Sequence, residues 1–158
     1  MAVLRTLCAD DWPKWRELRR EALRDAPDAF NSTLAEWSGA GDREERWRAR
    51  LSEVPLNVVA ELDGKPAGMV SGTHPDADGF VLLISMWVAP FARGRGVGDA
   101  LIHAVLAWAR ERRAGGVELE VREANLPALT LYRRNGFIDR GRSRHDGGSP
   151  QRRMTFAL

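Results

Sequence analysis

Six residues in the middle of the chain form a glycine-rich turn, Arg93-Gly-Arg-Gly-Val-Gly98. An apolar run over residues 80–88 comes directly before it, and residues 99–109 directly after it have the apolar spacing of a helix. A strand, a glycine turn and a helix in this order present unpaired helix amides and the positive end of the helix dipole, and glycine lets a ligand approach the backbone. The segment therefore predicts a pyrophosphate site.

Two other glycine-rich phosphate motifs are excluded by the residue after this turn. A P-loop requires Lys and then Ser or Thr after its last glycine, but Asp99 follows Gly98. The dinucleotide-binding pattern G-x-G-x-x-G fails because Asp99 stands where the third glycine belongs. On this segment alone, a strand-to-helix turn that binds nothing remains the alternative.

A second segment further along the chain argues against that alternative. Residues 93–98 resemble motif A of the GNAT superfamily, R/Q-x-x-G-x-G/A, and residues 125–137 resemble its motif B, N-x-x-A-x-x-L-Y-x-x-x-G-F. These Gcn5-related N-acetyltransferases use acetyl-CoA. The two motifs occur in the family's order, about 30 residues apart, with one predicted strand between them. The resemblance covers residues 56–142 closely and the N-terminal third only in general layout.

Apolar periodicity and turn residues predict seven strands and four helices. Their order is similar to that of the GNAT fold, an α/β (α+β) architecture. The resemblance implies a mixed, mostly antiparallel seven-stranded sheet, flanked by helices on both faces, whose fourth and fifth strands splay apart. We expect a single N-acetyltransferase domain over residues 1–158. The predicted strands are 3–7, 56–62, 67–73, 80–88, 117–121, 137–142 and 154–158. The first helix is expected to be capped by Asp10 or Asp11, with Pro13 in its first turn, and the other helices begin at 42, at 99 and after Asn125.

The composition is that of an ordinary globular protein, with 44% hydrophobic and 29% charged residues in 158. No apolar run approaches 18 residues and no signal-like segment occurs near the N-terminus, so we expect a cytoplasmic protein that is neither exported nor membrane-bound. Cys8 is the only cysteine, which forbids an internal disulfide, and we expect it to be a small buried hydrophobe. No His or Cys cluster has metal-ligand spacing, so no metal is expected.

The net charge of +2 is too small to indicate nucleic-acid binding. Arginine greatly outnumbers lysine beside abundant alanine and glycine, which suggests a GC-rich bacterial genome. Arginines crowd the last 26 residues and form either a solvated face or a surface that attracts CoA phosphates or an acidic substrate. They are Arg133, Arg134, Arg140, Arg142, Arg144, Arg152 and Arg153.

The resemblance implies that acetyl-CoA occupies the splay between the fourth and fifth strands. Its pantetheine arm would hydrogen-bond to the edge of strand 80–88, with an amide near Val88 facing the thioester carbonyl, while the amides of residues 95–99 hold the pyrophosphate. Asn125 is both a helix cap and a CoA contact by resemblance. The expected acetyl-CoA contacts are Met86, Trp87, Val88, Arg93, Gly94, Arg95, Gly96, Val97, Gly98, Asp99, Asn125, Ala128 and Tyr132.

Two residues are the candidate catalytic groups. Tyr132 matches the family's tyrosine near the CoA sulfur, where a phenol can protonate a departing thiolate; the alternative is a tyrosine that only packs. Residues 79–93 contain no carboxylate for the base found there in many relatives, and Glu120 is the best substitute. Residues 119–122 resemble a Leu-Glu-Val-Arg segment of ribosomal-protein alanine N-acetyltransferases, whose glutamate acts as base. The alternative for Glu120 is an ion pair with a neighbouring arginine.

The acceptor site is expected between the first two helices and the loop before the last strand. Phe30 and Trp37 could form an aromatic wall, or belong to the core. The weak evidence for a base favours either an α-amine with a pKa of about 8, which needs less help from a base than a lysine amine near 10.4, or a water relay through Ser85. His145 is a substrate contact or a solvent-exposed histidine.

The sequence thus predicts an acetyl-CoA-dependent transfer of an acetyl group to a primary amine, on a small molecule or a peptide or protein N-terminus, by direct attack in a ternary complex. The alternative is a catalytically silent acyl-CoA-binding module. Apart from the amine substrate no partner is expected, neither nucleic acid nor membrane, and a homodimer is left open.

Overall fold

The computed structural model describes residues 1–143 and 148–158. These residues form seven strands and four α-helices in the predicted order. The strands are β1 (Val3–Thr6), β2 (Leu56–Leu62), β3 (Lys65–Gly72), β4 (Phe80–Val88), β5 (Gly116–Arg122), β6 (Ile138–Arg142) and β7 (Gln151–Ala157). The helices are α1 (Trp12–Asp25), α2 (Glu44–Glu53), α3 (Val97–Glu111) and α4 (Leu126–Arg134).

The strands form one mixed sheet in the order β1-β2-β3-β4-β5-β7-β6, and every neighbouring pair is antiparallel except β4 and β5. This confirms the predicted fold class. The parallel β4–β5 pairing extends only from Phe80 opposite Gly116 to Leu82 opposite Glu118. Beyond Leu82 the rest of β4 has no partner on that side, so the predicted splay is present.

Helices cover both faces of the sheet because successive strand residues point to opposite sides. Val59 of β2 packs with Trp15 of α1 and Trp47 of α2 on one face. Its neighbour Val58 packs with Leu101 of α3 on the other face, in the cluster that also includes residues of α4. The first two helices therefore enclose one apolar core and the last two helices another, one on each face of the sheet.

Two local expectations near the N-terminus are wrong. Cys8 is exposed, not buried, because it lies in the turn between β1 and α1. Asp11 precedes α1 but its side chain does not cap the helix; it accepts a hydrogen bond from the Cys8 amide at 2.8 Å instead. Pro13 lies in the first turn of α1, as predicted. Among the helices formed by the described residues, none has the length and apolar character needed to cross a membrane.

Candidate active site

A cavity of about 850 Å³ opens where β4 and β5 separate. It is lined by β4, the glycine turn, the start of α3, the end of β5 and α4, and it includes eleven of the thirteen residues predicted to contact acetyl-CoA. Arg95 and Val97 are the exceptions: Arg95 pairs with Asp63 at 3.1 Å, and the Val97 side chain is in the core. The eleven are Met86, Trp87, Val88, Arg93, Gly94, Gly96, Gly98, Asp99, Asn125, Ala128 and Tyr132.

The glycine turn leaves backbone amides unpaired at the start of α3. Gly96 has φ +83° and precedes the helix, which begins at Val97, two residues earlier than predicted. The first helical hydrogen bond runs from the Ala100 amide to the Gly96 carbonyl at 3.1 Å. The amides of residues 97–99 therefore have no acceptor in the helix and carry the positive end of its dipole. A Cβ at Gly96 would meet open space, so the turn is not filled by the protein itself.

The next two residues fix α3 against α4. A Cβ at Gly98 would lie 2.9 Å from a Leu131 methyl carbon, so glycine allows the close approach of the two helices. The Asp99 carboxylate accepts hydrogen bonds from Asn135 at 2.8 Å and from Arg134 at 2.9 Å, and these bonds lower its pKa. Because α4 compensates the charge of Asp99, this carboxylate does not stand free to repel an anion in the cavity.

Arg93 holds the end of β4. Its guanidinium pairs with Asp25 of α1 at 2.7 Å and donates from Nε to the Val88 carbonyl at 3.1 Å. The indole of Trp87 donates to the same Asp25 carboxylate at 3.0 Å. Arg93 thus joins α1 to the end of β4, and its charge is already paired with the Asp25 carboxylate.

The free edge of β4 presents main-chain groups to the cavity. Ala89 donates its amide to Ala67 on the β3 side at 2.7 Å, so strand alternation turns the Val88 amide to the opposite, unpaired side. A bulge interrupts β4 where Ser85 has φ +57° and the β3–β4 register shifts by one residue. The bulge directs the strand into the splay and leaves Ser85 half-buried at the cavity wall.

Tyr132 reaches the same cavity from α4. Asn125 begins this helix with its side chain accepting from the Ala128 amide at 3.3 Å, as the cap prediction requires. The Tyr132 ring is 6% exposed and contacts Phe137 edge to face at 5.8 Å. Burial raises the pKa of the phenol well above its usual value of about 10, so the group stays protonated at neutral pH.

Glu120 stands on β5 at the junction of two cavities and is exposed. Arg153 lies opposite it on β7, but the Arg153 guanidinium pairs with Glu118, one pleat away. The ion pair considered as the alternative role for Glu120 is therefore formed by Glu118. With its nitrogen facing β5, the Gln151 amide donates to the Glu120 carboxylate at 3.3 Å.

A second cavity of about 460 Å³ adjoins the first at Ser85, Glu120 and Phe30. Phe30, Trp37 and Ser85, the predicted substrate residues, all line it. Trp37 stacks on Trp47 with ring centroids 4.4 Å apart, so it serves both the core and the cavity wall.

Arg19 and Arg50 also line the second cavity, and the sequence analysis missed both. A signal was available in the helical spacing. Position 19 belongs to the apolar stripe of α1, four residues after Trp15, and position 50 follows Trp47 by three. An arginine within an apolar stripe either extends its charged end to solvent or is buried, and a buried arginine normally has a partner.

The C-terminal arginines are mostly paired with carboxylates, which favours the solvated-face interpretation for them. Arg133 and Arg152 pair with Asp139, and Arg142 pairs with Glu123. Arg144 and His145 lie outside the described residues. Over residues 1–143 and 148–158 no group of three or more His, Cys, Asp and Glu side chains is arranged to hold a metal ion.

The fold and the cleft are of the GNAT type, and the sequence agrees: residues 12–137 match the model of the acetyltransferase (GNAT) family. The chain belongs to that family.

Individual relatives carry several different names. The chain is 33% identical over 99 residues to streptothricin acetyltransferase of Streptomyces lavendulae, covering 63% of this chain and 52% of that protein. It is 32% identical over 117 residues to the peptidyl-lysine N-acetyltransferase YjaB of Escherichia coli, covering 72% and 71%. It spans about half or less of the length of several other curated relatives that it matches.

Solved structures share the fold at low sequence identity. A GNAT-family acetyltransferase from Streptococcus pneumoniae superposes with a TM-score of 0.79 at 20% identity, covering 100% of both chains. YncA of Salmonella typhimurium, solved with its cofactor acetyl-CoA, superposes with a TM-score of 0.76 at 18% identity, covering 100% of this chain and 94% of that one. These similarities establish the architecture.

Proposed function

We propose that this chain transfers an acetyl group from acetyl-CoA to a primary amine by direct attack in a ternary complex. The observation that carries the proposal is the 850 Å³ cavity, which joins unpaired helix amides, an open strand edge and a buried phenol in one cleft. Acetyl-CoA supplies an activated acetyl thioester when bound. The family assignment and the separate second cavity, which provides room for an acceptor, support the same function.

The residues present fit the two ends of acetyl-CoA. A pyrophosphate suits the turn at Gly96, because three amides are unpaired and no side chain fills the space. A pantetheine arm, with amide groups along its length, suits the edge of β4 from Leu83 to Val88, since it can accept and donate as a further strand would. The Val88 amide is positioned to polarise a thioester carbonyl.

Two side chains would move protons. Tyr132, whose phenol is protonated at neutral pH, would donate to the departing thiolate from the α4 side of the cleft. Glu120, exposed at the junction of the two cavities, would accept the proton of the amine directly or through water near Ser85. The second cavity would hold the acceptor, with Phe30 and Trp37 in its walls.

Turnover with a panel of amines tests the proposal. The 158-residue chain is mixed with acetyl-CoA and single amines, among them amino acids, a lysine-containing peptide and streptothricin, and free thiol is measured over time. We expect amine-dependent thiol release. Acetyl-CoA binding with no thiol release for any amine would contradict an enzyme and would identify a silent acyl-CoA-binding module.

Glu120→Gln tests the base. We expect kcat/KM to fall at neutral pH and the acid limb of its pH profile to shift, with partial recovery at high pH, where the amine is already neutral. Glu123→Gln is the matched control: Glu123 follows β5, pairs with Arg142 and Arg152, and lines neither cavity. It is expected to lose stability and keep the wild-type profile. An unchanged acid limb in Glu120→Gln would move the base role to water near Ser85.

A further inference from the structure

Two arginines lie side by side at the second cavity, one from each of the first two helices. Arg19 of α1 is only 8% exposed, and its guanidinium stacks over the Phe30 ring at 4.6 Å. Arg50 of α2 stacks over the Trp15 ring at 5.0 Å. The pKa of each guanidinium is lowered to about 10, chiefly by burial, and the positive charge of Arg50 contributes to the lowering at Arg19. Both remain charged at neutral pH, in a poorly hydrated place.

Neither guanidinium forms an ion pair with a carboxylate of the residues that the structure describes, although Glu53, the last residue of α2, attracts Arg50 from beyond contact distance. Arg50 donates to the Asn57 amide oxygen at 2.9 Å and to the hydroxyls of Ser71 and Ser85 at 3.1 Å, which are all neutral acceptors. Nη1 of Arg19 is buried and has no hydrogen-bond partner among the described residues. Of the described side chains, the other buried donor without a partner is the Trp15 indole, which lines the same cavity.

Neighbouring arginines on the same two helices do have carboxylate partners. Arg16 pairs with Asp42 at 2.5 Å, and Arg48 pairs with Asp10 at 2.7 Å and Glu44 at 3.0 Å. An unpaired buried charge destabilises the folded state, whereas an exposed ion pair contributes little to stability. The described residues therefore pair these more exposed arginines with carboxylates but leave the guanidinium groups of Arg19 and Arg50 without one in contact. An incoming carboxylate would gain most beside those two groups.

The remaining wall of the cavity has the opposite charge. Glu118 and Glu120 come from β5, and Glu118 is already paired with Arg153. Glu120 lies where the second cavity meets the first and is available to an ammonium group. The cavity volume of about 460 Å³ lies within the range of small-molecule sites. Its other walls combine aromatic rings from the N-terminal third with aliphatic side chains of β4 and β5.

We propose that the acceptor is a small amino carboxylate, an amino acid or a close analogue, whose carboxylate binds Arg19 and Arg50 and whose amine is directed to Ser85 and Glu120. This inference rests on the proposed function and narrows it to one substrate class. Ser85 accepts a hydrogen bond from Arg50 and lies on the β4 bulge, so it connects the carboxylate end of the pocket to the splay. The aromatic walls favour an apolar side chain on the substrate.

Matched pairs of ligands separate carboxylate recognition from amine reactivity. Single L-amino acids and their L-amino acid carboxamides are titrated into the free 158-residue chain by calorimetry, and both series are assayed with acetyl-CoA by thiol release. We expect at least one amino acid to bind, with Kd and kcat/KM better than those of its carboxamide by about 100-fold, as for loss of a buried charged partner. The carboxamide has the less basic amine, so intrinsic reactivity works against this result.

Arg19→Met gives a signature that a structural role would not. Because it removes an unpaired buried charge, we expect Tm to rise while the ratio of acid to carboxamide falls towards one. Arg16→Met is the control on the same helix: Arg16 has its own carboxylate partner and lines neither cavity. We expect it to lower Tm and leave the ratio unchanged.

The outcomes distinguish this inference from the proposed function. Thiol release with carboxamides, streptothricin or a lysine-containing peptide as good as with amino acids would overturn the inference and leave the acetyltransferase proposal standing. An unchanged ratio in Arg19→Met would also overturn it. Binding of an amino acid without thiol release for any amine would support the pocket and contradict the enzyme. The inference would also be overturned if no amino acid bound to the free chain and none was acetylated.

Discussion

Gly96→Glu is expected to abolish acetyl-CoA binding while the chain stays folded. The added side chain has open space in which to lie, and the positive φ of residue 96 costs roughly 1–2 kcal/mol in a non-glycine residue. Its carboxylate would stand beside the unpaired amides of residues 97–99 and compete with the pyrophosphate for them. A like charge at an anion site costs several kcal/mol, so we expect Kd for acetyl-CoA to rise by at least about 100-fold in calorimetry.

The control for this variant has the same backbone strain at a distant place. Gly39 also has a positive φ, +55°, with open space around its Cβ position, and it lines neither cavity. Gly39→Glu is expected to keep wild-type affinity and to lose a similar small amount of stability. Unchanged acetyl-CoA affinity in a folded Gly96→Glu variant would remove the phosphate site from the glycine turn.

The second large effect is expected from Tyr132→Phe. Phenylalanine keeps the buried ring and its edge-to-face contact with Phe137, and removes only the hydroxyl. If Tyr132 protonates the departing thiolate, kcat falls by roughly 10²- to 10⁴-fold, as for other general acids, with little change in Kd for acetyl-CoA. Steady-state kinetics with thiol readout measures kcat, calorimetry measures Kd for acetyl-CoA, and a melting curve measures the stability of the variant. Wild-type kcat in the variant would make Tyr132 a packing residue.

The part of the cleft proposed to bind acetyl-CoA could be predicted because the residues that form it are close together in sequence. The glycine turn, the Asn125 cap and the position of Tyr132 each depend on residues within a few positions of one another, although α3 begins at Val97, two residues earlier than predicted. The prediction that β4 and β5 splay apart came from the family resemblance. The sequence alone contains no sign that their pairing stops at Leu82.

The acceptor side could not be predicted in the same way because it depends on contacts between distant segments. Arg19 and Arg50 come from different helices, and their lack of carboxylate partners is visible only once α1, α2 and β5 are packed together. The C-terminal arginines are close together in sequence and numerous, yet most of them pair with surface carboxylates and not with a ligand site. Cys8 was misplaced because residue type predicts burial only on average.

The short β4–β5 pairing also has a mechanical consequence. Three register positions join a four-stranded half, β1 to β4, to a three-stranded half, β5 to β7. The bonds from Asp99 of α3 to Arg134 and Asn135 of α4 are a further tie between the segments that follow the two strands. A ligand that bonds along β4 and rests on both helices would add contacts between the two halves, so we expect the loaded protein to melt at a higher temperature than the empty one.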